Sequence, residues 1–104
     1  VLSGAEIRRL MMARVMIGKP KIVLLDEPLA ALDPLIIQDI QKYILKIQSS
    51  GTAVLVTDHN IKNLFEITDR SYVLGENTVI AEGTSRELLK STKAIEHYFG
   101  SQFS

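Results

Sequence analysis

The chain has 104 residues, the size of one small domain or part of one, and 46% of them are hydrophobic, which suits a packed core rather than a disordered tail. Twelve basic residues balance twelve acidic ones, so no molecule-wide basic field exists to gather nucleic acid or anionic lipid, and any phosphate chemistry must be local. The absence of cysteine excludes disulfides and thiolate metal sites, and no apolar run approaches the ~20 residues needed to cross a bilayer.

The chain opens on Val1 with no signal-like segment, and an N-terminally truncated piece is expected. "SGAEIRRLMMARVMIG" reads as a helix: Ser3 caps it, Glu6 completes a capping box, and Gly18 supplies the stop. "KIVLLD", Lys21 to Asp26, is a continuous apolar run without alternation, which predicts a strand of a parallel sheet covered on both faces. A helix follows from Asp33, the expected cap, and Pro34 in the first turn; Ile36, Ile37, Ile40, Tyr43, Ile44 and Ile47 recur at helical period up to Gly51.

"TAVLVTDHN" predicts a second strand ending in polar residues, with a helical segment around Ile61 to Ile67 after it. "RSYVLGENTVIAEG" predicts an antiparallel hairpin about a Glu-Asn turn. A short helix capped by Thr84 with Glu87, and a last helical stretch near Ala94 to Phe99, complete the chain. The order strand, helix, strand predicts a parallel crossover, which brings Asp26, Glu27, Asp58 and His59 together at the carboxyl edge of the sheet, where open α/β folds bind ligands.

Four apolar residues running into Asp26 and Glu27 pose a physical question, because a half-buried carboxylate pair needs a compensating cation. One carboxylate suits a hydrated magnesium ion and the other can take a proton from water. An imidazole at His59 could donate to a phosphate oxygen or orient that water. His97 lacks such a context and is assigned a surface or packing role. "LSGAE" sets free backbone N–H groups and the positive end of a helix beside a glycine, a weak anion-binding signal by itself.

In this order the segments resemble the nucleotide-binding subunit of ABC transporters: "LSGAE" the signature motif, "IVLLDEP" the Walker B segment with its adjoining glutamate, "AALD" the D-loop and "TDH" the switch histidine. The resemblance implies a P-loop NTPase-like α/β fold, with residues 1–104 the C-terminal part of one ABC ATPase domain, from signature helix to C-terminus. The phosphate-cradling "GxxxxGK[ST]" loop, the glutamine loop and the adenine-stacking aromatic are missing from this sequence. It further implies ATP and Mg²⁺ as cofactors, with Asp26 on magnesium largely through water, Glu27 as general base and His59 at the γ-phosphate. Ser3 and Gly4, with backbone groups of Ala5 and Glu6, would grip ATP on the opposite subunit of a homodimer, and Asp33 would reach across the same interface. Ala5 stands where the family usually has a second glycine; its methyl could crowd that phosphate while its N–H remains available, so nucleotide sandwiching is expected to be tolerated but weakened.

The implied partners are a second ATPase subunit and transmembrane permease subunits, with no nucleic acid, at the cytoplasmic face of the inner membrane. "VTDHN" and "RSYVLGENTVIAEGTSRELL" most resemble the branch that energises lipopolysaccharide export. A branched-chain amino acid importer ATPase and a DNA-repair or chromosome-organising ATPase head are the alternatives. The isolated chain, lacking the P-loop, is expected to be inactive and to expose an apolar edge or face.

Overall fold

The computed structural model describes residues 3–91 and Glu96. Along the chain lie α1 (Gly4–Ile17), β1 (Ile22–Asp26), α2 (Pro34–Ser49), β2 (Ala53–Thr57), α3 (Ile61–Phe65), β3 (Ser71–Gly75), β4 (Thr78–Gly83) and α4 (Ser85–Lys90). The expected stretch near Ala94 to Phe99, and His97 with it, lies outside the described residues apart from Glu96. Two compact units divide the chain, Val1–Asn63 and Leu64–Ser104.

In the first unit, β1 and β2 pair in parallel with Val23 opposite Val54 and Asp26 opposite Thr57. The connection through α2 is required because parallel strands cannot be joined by a tight turn. The α2 stripe of Ile40, Ile44 and Ile47 is buried, as its spacing predicts, and with Val23, Leu29 and Met12 it forms the core. Ile40 is wholly inaccessible, and burying such a side chain contributes roughly 1.5–3 kcal/mol. The one polar residue in that stripe, Gln41, is satisfied by donating from Nε2 to the Asn63 carbonyl at 2.9 Å.

Two expectations change. β1 and β2 are not covered on both faces: Val23 is buried, but Ile22, Leu24 and Leu55 on the opposite face are 56%, 70% and 54% exposed. Asp33 holds the N-cap position of α2 by its backbone, yet its side chain makes no capping bond. Gly18 ends α1 as expected, in an ordinary right-handed conformation, and Lys19 takes the left-handed one at φ 49°.

In the second unit, β3 and β4 form the expected hairpin, with Gly75 opposite Thr78. Glu76 and Asn77 both have positive φ, 55° and 61°, the geometry of a type I′ turn whose twist matches that of the strands. Ser71 and Val73 point into the unit while Tyr72 and Leu74 face out. α4 packs on β4 through the buried Leu88. Gly83 is required there: at φ 149° a Cβ would come within 3.0 Å of the Glu87 side chain that closes the α4 cap.

Candidate functional site

The carboxyl ends of β1 and β2 open on a cavity of about 320 Å³ lined by Asp26, Glu27, Thr57, Asp58 and His59. Parallel pairing in register is what brings them there, since Asp26 ends β1 directly opposite Thr57 at the end of β2. Glu27 follows Asp26 at φ 48°, in the left-handed region that a side-chain-bearing residue enters at a cost. The next residue, Pro28, disfavours the ordinary helical conformation for Glu27. Beyond it Pro28 and Leu29 are buried and anchor the turn.

Glu27 and His59 meet across the strand ends, with Nε2 of the imidazole 2.7 Å from Oε1 of the carboxylate. The imidazole is otherwise 95% exposed, so its position can respond to whatever enters the cavity. Asp26 Oδ1 accepts a hydrogen bond from the Thr57 hydroxyl. Asp58 Oδ1 accepts from the Asn60 N–H at 2.9 Å, and its buried Oδ2 has no protein partner. Asn60 in turn accepts from the Asn63 N–H at 3.1 Å, which fixes the turn into α3.

All four polar residues expected at this edge are therefore together. Thr57 is the member that the sequence did not single out. Its signal lies in register, because the residue opposite Asp26 can be named only once β1 and β2 are paired.

Ser3, Gly4, Ala5, Glu6 and Asp33 do not line this cavity. Ser3 Oγ accepts from the Glu6 N–H at 3.1 Å and Glu6 Oε1 accepts from the Ser3 N–H at 3.2 Å, the expected capping box. Those bonds with Ser3 hold the Glu6 carboxyl below the usual glutamate range. Gly4 is exposed with open space where a Cβ would stand, whereas Ala5 is buried at 5% exposure. The Ala5 methyl is thus packed inside the unit.

The electrostatics restrict what the cavity can take. Three carboxylates and an imidazole line it, with no lysine or arginine. A polyanion could enter only with a cation. Among the described residues no group of three or more His, Asp or Glu side chains could cage a metal unaided. A cation that keeps its waters and draws remaining ligands from a phosphate fits this donor set.

Solved structures share this architecture. An ABC-transporter ATP-binding cassette in its ADP conformation matches with a TM-score of 0.83 and 29% identity, over 95% of this chain and 41% of that one. Part of the cbiONQ ABC transporter complex from Clostridium perfringens matches with a TM-score of 0.80 and 30% identity, over 91% of this chain and 38% of that one. No protein-family model matches the chain. Fold and strand-end acids together point to one class: the chain matches ABC-type ATP-binding proteins, with a P-loop NTPase type of α/β fold.

Among curated relatives, the lipopolysaccharide export system ATP-binding proteins LptB of Haemophilus influenzae and Escherichia coli are each 39% identical to it over 102 residues, 98% of this chain. A probable ABC transporter ATP-binding protein of Azorhizobium caulinodans is 37% identical over the same length. The chain spans 42% of the length of the two LptB proteins.

Proposed function

We propose that the chain supplies the hydrolytic edge of an ATP site in the ATP-binding subunit of an ABC transporter, one that energises lipopolysaccharide export from the inner membrane. In this reading residues 1–104 are the C-terminal part of the ATPase domain, and the phosphate-cradling loop comes from sequence outside them. The 2.7 Å contact between Glu27 and His59 carries the reading, because it unites the ends of two strands that the chain separates by thirty-odd residues. The names of the relatives support the class of transporter and its cargo.

Each residue has a role in that reading. Asp26 offers a hard oxygen beside the one engaged by Thr57, suited to magnesium held largely through water. Magnesium, when bound with ATP, offsets the negative charge of both phosphates and cavity. Glu27 takes a proton from the attacking water, with His59 holding one carboxylate oxygen so that the other faces the water. His59, largely in solvent, then turns to donate to the γ-phosphate. The buried and unpartnered Asp58 Oδ2 suits an ordered water.

Ser3, Gly4, the backbone of Ala5 and Glu6, and Asp33 serve the ATP of a second copy across a homodimer interface. Closure and separation of the two subunits then drive permease subunits in the membrane. No helix of the described residues is long and apolar enough to cross a membrane. In this reading attachment to the cytoplasmic face of the membrane runs through the permease partners.

The test replaces the matching stretch of the E. coli LptB protein with this chain and measures ATP turnover. Glu27→Gln should lower kcat at least about a hundredfold, the usual scale for removing a general base, with His59→Ala also strongly impaired. Undiminished turnover in Glu27→Gln would sink the hydrolytic reading. In cells depleted of their own subunit, the graft should restore lipopolysaccharide at the outer surface; an active graft that fails there would leave the hydrolase standing and remove the cargo.

A further inference from the structure

We propose that Thr57 is a positioning residue, the single hydroxyl that ties both acids of the site to the end of β2. The inference rests on the hydrolytic reading of Asp26 and Glu27 above. A hydroxyl has one proton to donate and lone pairs to accept with. The Thr57 hydroxyl uses both: it donates to Asp26 Oδ1 and accepts from the Glu27 N–H at 3.1 Å. The same N–H also donates to the Thr57 carbonyl at 2.9 Å, so Glu27 is held to β2 by two acceptors of one residue.

Two needs of the site meet at that residue. Asp26 is an exposed carboxylate at a strand end, where little packing limits its rotation, and the Thr57 hydroxyl selects one orientation. Glu27 sits at φ 48°, a conformation that persists only where neighbours over-determine it. The cross-strand bonds do so, and they set the base where His59 reaches it at 2.7 Å. β2 thus determines where the acids at the end of β1 point, while the turn that follows β2 supplies the imidazole.

A bland account of Thr57 is that a β-branched residue simply favours a strand. Valine meets that need equally well and has no hydroxyl, whereas serine keeps the hydroxyl and loses the methyl. In the 104-residue chain, Thr57→Val should leave the thermal midpoint unchanged or raised and speed amide exchange at Glu27 while leaving Ala53 exchange unaltered. In the LptB graft it should lower kcat on the order of tenfold, the scale of one lost hydrogen bond to a charged group, with KM for ATP within about twofold. Thr57→Ser should return kcat to near the parent value.

Parent-like kcat in Thr57→Val beside a dead Glu27→Gln would overturn the role of Thr57 alone. An active Glu27→Gln would take down both this inference and the reading beneath it. Should Thr57→Val unfold, Thr57→Ser decides: near-parent turnover supports the hydroxyl, and a tenfold loss overturns it.

Discussion

The first two residues of α1 stand in opposite surroundings, and each makes its own prediction. Ala5 is buried at 5% exposure, so Ala5→Gly removes a packed methyl and loosens the first turn of a helix. The expected result is a loss of about 1–2 kcal/mol in denaturant unfolding of the chain. A stability gain from Ala5→Gly would refute the burial of that methyl. At Gly4, a Cβ would meet nothing within 4 Å, and Gly4→Ala should stabilise the chain by about 0.5–1 kcal/mol. In the graft the same change should slow turnover if, as in the proposed homodimer, a partner's phosphate approaches through that open space. Gly4→Ala that stabilises the chain and spares turnover would argue against that approach.

At the scale of elements, the two capping boxes make helix starts depend on pH. Bonds with Ser3 lower the Glu6 carboxyl and bonds with Thr84 lower that of Glu87, each below the ordinary glutamate value. A carboxyl lowered in the folded state stabilises above its unfolded pKa, and that stability is lost as pH falls through the lowered value. α1 and α4 should therefore fray on acidification before the rest of the chain, as amide exchange in their first turns would register. Glu6→Gln keeps an acceptor for the Ser3 N–H and should flatten the response of α1 alone; an unchanged response would assign it to another group.

These caps were legible because a capping box is a four-residue pattern, and both close at the expected residues. The α2 stripe and the Glu76-Asn77 turn were legible for the same local reason. The Asp33 cap was not, since a residue type permits a capping bond without forcing it. Thr57 was invisible because its partners lie 31 and 30 residues away, at Asp26 and Glu27, and only strand register joins them.

For the whole molecule, "IVLL" at Ile22 to Leu25 encodes a strand apolar on both sides, and such strands belong to parallel sheets with two covered faces. α2 packs against one face; the other carries Ile22, Leu24 and Leu55 in register across both strands, Leu24 being 70% exposed. The sequence thus specifies a cover that the described residues do not provide, and relatives of more than twice this length have chain enough to provide it. Alone in solution, the face should drive self-association, because contiguous exposed apolar surface of this kind is costly in water. Sedimentation of the 104-residue chain should show mass rising with concentration. Leu24→Lys sits on that face and away from the core, so it should shift the chain toward monomer while changing unfolding stability by no more than about 0.5 kcal/mol. In the graft the same lysine should do harm instead, lowering stability by burying a charge where a covering layer packs. A chain that stays monomeric at every concentration, or a graft indifferent to Leu24→Lys, would mean that the face is built for water.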